Sequence, residues 1–458
     1  MSWKKLIGTR DFYRHLLMIV VPIIIQNAIT NFVSMLDNIM VGQIGTAQMS
    51  GVSIVNQLVF VFNLCIFGAV SGAGIYTAQF YGQRNHEGVR YTFRFKLILV
   101  ALVSVISLLL FRFYGDSLIR MYLEADAESA QAEAILDSAN AYLKVIMAGL
   151  PAFAVMQAYS GTLRESNDTL LPMKAGIAAV LVNLVFNYIL IFGKFGAPAL
   201  GAVGAAAATV LSRYVELAII VIYTHTHKKR HPFISGAFKG FYIPGRLAGQ
   251  MLIKGMPLLV NETLWASAQA ALLQQYAFRG LTVIAAYNIS STLSNVFNVG
   301  FISMGSAIAI IIGQELGAGK ATVREDAAKL TFTAVAACVA IGAVMALAAP
   351  VFPIIYRTEA EVRALASRFI LVSSCLMPLY AYNNSAYFIV RSGGRTVITF
   401  LLDSCFVWAV MVPTAYALTR FTSLGSVPIL FLTQLTEGIK AVIGHQLVRR
   451  GVWIQNLT

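Results

Sequence analysis

"PIIIQNAITNFVSMLDNIMVG", residues 22–42, is a run of apolar residues long enough to cross a bilayer, with one carboxylate, Asp37, set fifteen residues after Pro22. A charged side chain at membrane depth costs at least about 2.5–3.5 kcal/mol, so its retention marks a candidate functional residue. The same pattern returns 235 residues later as "PLLVNETLWASAQAALLQQYAFRG" (257–280), which pairs Pro22 with Pro257, Gly45 with Gly280, Gln79 with Gln314 and Gly82 with Gly317 without a gap. Under that offset Asn27 maps onto Glu262 and Asp37 onto Leu272, so the two copies hold their acids at different levels. An offset of 227 then pairs Arg164 with Arg391 and Thr169 with Thr396, and one of 224 pairs Gly201 with Gly425 and Thr209 with Thr433.

Around these repeats the chain is apolar throughout. Hydrophobic residues make up 58% and charged residues 12%, with mean hydropathy +0.73, against about 45–50% apolar and 25% charged for soluble domains. Segments of about 20 apolar residues suit helices crossing about 30 Å of hydrocarbon, and the alternation of a membrane barrel is absent. Twelve spans are expected at 14–43, 50–72, 92–113, 136–162, 169–193, 199–224, 249–278, 284–312, 328–355, 364–390, 396–419 and 424–447. The fold class expected is an all-α integral membrane protein, with two six-helix bundles related by a pseudo-twofold axis along the membrane normal. Such parallel repeats belong to transporters that rock around a central cavity. The halves are 1–224 and 249–458, joined by a basic linker, 225–248.

Charge supports this reading. The net charge of +14 could suggest nucleic acid, but most of the 34 Lys and Arg fall in the N-terminus, the even-numbered loops and the C-terminus. That is the positive-inside pattern and places both termini in the cytoplasm. The expected partner is the lipid bilayer, not nucleic acid. "HTHKKRHPFISGAFKGFYIPGR" (225–246) reads as a solvated basic loop facing anionic headgroups in preference to a histidine metal tract. The acidic stretch 124–137 reads as a helical connector outside the membrane. Cys65, Cys338, Cys375 and Cys405 fall within spans without metal-ligand spacing, so neither metal nor cofactor is expected. No nucleophile–base pair lies within the spans, which argues against an enzyme.

The polar residues inside the spans are few. Asn183 and Asn187 are four apart and share one helix face. Span six supplies the Thr209 hydroxyl in a small-residue run, 201–212, that permits close packing. With Asp37 they form the kind of oxygen-rich set that a hard monovalent cation or a proton needs. The competing reading is interhelical hydrogen bonding alone. Pro22 removes a backbone donor and is a candidate hinge. Glu262, Gln157, Asn383 and Asn384 are candidates for lining the cavity. Asp403, Glu216 and Glu437 are further acids at depth, the last near enough to a helix end to snorkel.

The motifs "SMLDNIMVGQIG", "AQFYGQRN", "LRESNDTLLPM", "VNLVFNYILIFG", "LGAVGAAAAT" and "PLLVNETLW", in this order, resemble the MATE family (multidrug and toxic compound extrusion) over essentially the whole chain. The resemblance implies a V-shaped, monomeric antiporter of the cell membrane, expelling cationic or amphipathic small molecules in exchange for protons or sodium ions. It implies coupling through Asp37, Asn183 and Thr209 with Pro22 as the bending proline, as in the DinF-like branch. Asn187 departs from that branch, which has an acid there, and the loss favours protons. The alternative is a lipid-linked saccharide flippase of the same wider superfamily. Its expected cluster of Arg and Lys is thin here, since only Lys144, Arg213 and Lys440 lie at depth.

Overall fold

Pro22 does not interrupt its helix. In a computed structural model that describes residues 6–123, 130–356 and 358–458, helix α1 runs unbroken over Arg10–Gly42. At 1.5 Å per residue, its 33 residues exceed the hydrocarbon thickness by several turns. The helix that follows, α2 (Thr46–Gly82), is entered through Gly45 at φ 151°. Its repeat partner Gly280, at φ 115°, opens α9 (Leu281–Gly317) after α8 (Gly245–Ala277). Both positions hold a backbone that only glycine adopts freely, which is why the repeat keeps glycine at each.

The remaining helices are α3 (His86–Arg120), α4 (Ala130–Ile146), α5 (Leu150–Glu165), α6 (Leu170–Phe192), α7 (Ala202–Thr226), α10 (Val323–Ala348), α11 (Ala360–Ser392), α12 (Thr396–Phe400), α13 (Val412–Phe421), α14 (Ser426–Leu435) and α15 (Glu437–Arg450). No strand occurs among the described residues. The fourth span is two helices, α4 and α5, joined by a 3-10 turn at Met147–Gly149, where Pro151 cannot donate to the turn before it. The eleventh is α12 and α13 joined by π-helical segments at Leu401–Cys405 and Val407–Met411, and the twelfth divides at Thr436. Residues 124–129 of the acidic stretch lie outside the described residues.

Eleven of these segments are long and apolar enough to cross a membrane. The other long helix is α8, which carries Lys254, Asn261, Glu262, Gln269, Gln274 and Gln275. Of these, Asn261 and Glu262 lie in the second candidate site.

The chain packs as two compact units: one of Ile25–Thr77 and Asn85–Gly255, the other of Met1–Ile24, Ala78–Arg84 and Met256–Thr458. The first unit has a core in which Phe62, Ile66, Val100 and Ile119 meet a small-residue surface of Ala154, Ala158, Ala205 and Ala206. A Cβ at Gly204 would press on the Leu190 main chain, so α6 and α7 approach as closely as backbones allow. The 225–246 segment belongs to this unit; its basic side chains Lys228, Lys229, Arg230, Lys239 and Arg246 are exposed, as a solvated loop requires, but part of it is folded inward. Arg94 on α3 donates from Nε to the Ala237 carbonyl (2.7 Å), from Nη2 to Gly236 (2.6 Å) and from Nη1 to Tyr242 (3.0 Å). His231, Phe233 and Ile234 are buried, because three main-chain carbonyls held by one guanidinium fix the apolar part of the segment inward.

The second unit carries the repeat in its packing. A Cβ on Gly82 would run into the Gln314 carbonyl, and one on Gly317 into the Gln79 carbonyl. Residues paired by the 235 offset thus meet reciprocally, as a local twofold requires. Gln79 also donates to the Ser392 carbonyl (2.9 Å) and accepts from the Leu457 N–H (2.7 Å). Leu16, Ile19, Val20 and Ile23 of α1 join Ile308, Ile312 and Leu330 in the core of this unit.

Candidate functional site

In the first unit Asp37, Asn183, Asn187 and Thr209 form one hydrogen-bonded chain. Asn187 Nδ2 donates to Asp37 Oδ1 at 2.5 Å and to Asn183 Oδ1 at 3.1 Å. Asn183 Nδ2 in turn donates to Thr209 Oγ1 at 3.3 Å. The i,i+4 spacing on α6 aligns the two amides, and the small residues of α7 bring Thr209 within reach. Asn187 is fully buried and Asn183 nearly so. The Asn187 Oδ1 atom is buried with no hydrogen-bond partner. The site therefore holds a carboxylate beside a spare carbonyl oxygen, an arrangement that accepts a cation or a protonated group more readily than another acceptor.

Two neighbours were not anticipated. Arg213, one turn beyond Thr209, acts electrostatically on Asp37 while pairing with Glu216 at 3.4 Å, and the buried Tyr142 lies within electrostatic range of the same carboxylate. The i,i+3 spacing of Arg213 and Glu216 was the available signal for that pair. Gln157 is half-buried on α5 and makes no side-chain hydrogen bond to the described residues. Pro22 is buried on α1 and packs with the second unit, and the chain passes to the first unit three residues later, at Ile25.

The second unit gathers a different set. Asp403, in the π-helical segment, accepts from Lys440 Nζ through Oδ1 (2.7 Å) and from Asn261 Nδ2 through Oδ2 (3.1 Å). Glu437 Oε2 accepts from Asn383 Nδ2 at 2.6 Å and lies 3.6 Å from Lys440 Nζ. Glu437 is buried, so it does not snorkel: the Asn383 amide and the Lys440 ammonium hold it inward. Glu262 is half-buried and acts electrostatically on Arg391 and Asp403. Asn384 Oδ1 is buried without a partner and faces Gly305, where a Cβ would collide with it. The sequence showed each charge but not the pairing, because Asp403 and Lys440 lie on separate helices whose register the π-helical segment sets.

No group of three or more His, Cys, Asp or Glu that could hold a metal occurs among the described residues. A family model, MatE, matches residues 22–189 and 259–417, covering most of both halves. The chain belongs to the MatE family. Its members are transporters, not enzymes. This MatE chain is 24% identical to the probable multidrug resistance protein NorM of Thermotoga maritima over 91% of its own length and 87% of that protein. It is 22% identical to the probable multidrug resistance protein YoeA of Bacillus subtilis over 90% and 88%. Its fold matches an outward-facing multidrug resistance MATE family transporter of the MOP superfamily with TM-score 0.86 at 20% identity, over 98% and 97% of the two chains. It matches a MATE crystal structure in the bent conformation equally, with TM-score 0.86 at 19% identity over 98% and 96%.

Proposed function

We propose that this MatE chain is a multidrug antiporter. It exports organic cations and other amphipathic small molecules across the inner or plasma membrane in exchange for protons, with sodium ions as the other candidate. Asp37 is the coupling group, both termini face the cytoplasm, and the halves 1–224 and 249–458 work as a monomer joined by the linker. The names of the relatives support drug export. The observation that carries the coupling role is the Asp37 carboxylate held by Asn187, with the Asn187 carbonyl oxygen buried and unpartnered beside it.

Ionised Asp37 needs the Asn187 N–H and has room for a cation or a proton. Neutralised Asp37 no longer needs that donor, and α1 is free to shift relative to α6, which changes the preference between conformations. Pro22, lacking an N–H for the preceding turn, is the position at which α1 bends. The bent conformation of a solved MATE structure supports such a motion.

The test is Asp37→Asn in proteoliposomes with a pH gradient and a sodium gradient imposed separately. The expected outcome is that wild-type protein moves drug against its gradient under the pH gradient, while Asp37→Asn binds drug but does not concentrate it. Transport by Asp37→Asn at the wild-type rate with either gradient overturns the assignment.

A further inference from the structure

The 224 offset that pairs Thr209 with Thr433 also pairs Arg213 with Glu437 and Glu216 with Lys440. An i,i+3 ion pair therefore sits at the same place in both halves with its signs exchanged. In the second unit this inversion puts an ammonium against a carboxylate of the neighbouring span. Lys440 Nζ lies 2.7 Å from Asp403 Oδ1 and 3.6 Å from Glu437 Oε2, with both Lys440 and Glu437 about nine-tenths buried. The acids are held in place from outside the pair. Asn261 bonds Asp403 and also accepts from the Ser404 N–H (3.3 Å), bracing the π-helical turn, and Asn383 bonds Glu437. Asn383 is 4% exposed, and its Oδ1 is buried with no donor.

We propose that Lys440 is a tethered cation filling a monovalent-cation seat, and that removing its charge turns Asp403 and Glu437 into an exchangeable site for a sodium ion or a proton. The groups around the seat are Asn261 and Glu262 from α8, Tyr380, Asn383, Tyr387 and Arg391 from α11, and Glu437 from α15. Three acids there meet two bases. Loss of the ammonium leaves Asp403 and Glu437 facing each other in a poorly solvated place, where burying uncompensated charge is costly. Hard cations take oxygen ligands, and the seat offers the Asp403 and Glu437 carboxylates. Lys440 thereby decides that the second unit contributes no exchangeable ion. The inference stands without the Asp37 reading, because it concerns a separate cluster.

The experiment uses the full chain in an Asp37→Asn background, so that the first unit cannot answer for the second. Thermal unfolding of purified protein in detergent is followed against sodium at fixed ionic strength, with choline as the replacement, and against pH between 8 and 6. The expected result is that Lys440→Met gains about 3 °C or more between 1 and 100 mM sodium, or on acidification. The parent, Lys440→Arg and the doubly neutral Asp403→Asn/Lys440→Met show no such gain. The proposal is overturned if Lys440→Met responds no more than the doubly neutral variant, if the parent with Lys440 intact responds as strongly, or if Lys440→Met stays unfolded in every buffer.

Discussion

Asn187 is a donor to a charge, and Thr209 is an acceptor from a neutral amide, so the two ends of the hydrogen-bonded chain differ in weight. Hydrogen bonds to charged groups contribute about 1.5–3 kcal/mol and neutral ones about 0.5–1.5. Asn187→Leu is expected to lower ion-driven drug efflux about tenfold or more, whereas Thr209→Val lowers it severalfold at most, as measured by initial rates in vesicles. Equal effects of the two substitutions would show that Asn187 acts as packing alone. This set was legible in the sequence because the period of one helix aligns Asn183 with Asn187, and a small-residue run marks where α7 comes close. Asp403 and Lys440 were visible as buried charges, but their partnership was not. It depends on which face a span presents after two π-helical turns, and no spacing rule reports that.

At the scale of elements, the linker differs most from what its composition suggests. A stretch rich in Lys, Arg and His reads as solvated, yet Phe233, Ile234 and Ala237 give it an apolar side, and Arg94 fixes that side by three carbonyls. Its basic side chains are solvated as read; the clamping residue lies on α3, which is why the stretch alone did not show its buried side. Burial holds the His231 imidazole below its usual range, against the pull of Asp168 3.5 Å away and with help from Arg230 and His227. The folded linker thus favours neutral His231, while an unfolded linker protonates at the ordinary value of about 6.5. The unfolded state then binds more protons below that pH, so the packing of the linker is fully stable above about 6.5 and weakens as pH falls. Limited proteolysis within 225–246 is expected to accelerate between pH 7 and 5.5. His231→Gln removes most of that dependence, and an unchanged profile in this variant would rule out His231 as its source. The breaks in the fourth and eleventh spans were partly legible through Pro151 and Pro413; the π-helical segments carried no such mark.

For the whole molecule, the repeat was the most legible feature, since apolar run length gave twelve spans and the offsets divided them into two sets of six. What they did not give is how the chain is shared between its packing units. Residues 6–24 and 78–84 come from the first half of the sequence yet belong to the unit built on the second half. A fragment ending in the linker would leave Leu16, Ile19, Val20 and Ile23 without the core that buries them. Removing a large aliphatic side chain from such a core costs roughly 2–5 kcal/mol each, so neither half is a self-sufficient domain. Expressed separately, fragments 1–240 and 241–458 are expected to aggregate; coexpressed, they are expected to copurify as a monodisperse pair, read by size-exclusion chromatography. A stable first-half fragment on its own would refute this. The duplication that made the chain has thereby become hard to undo: the first copy has lent material to the second, and a lineage carrying this protein cannot readily inherit, lose or exchange one half alone.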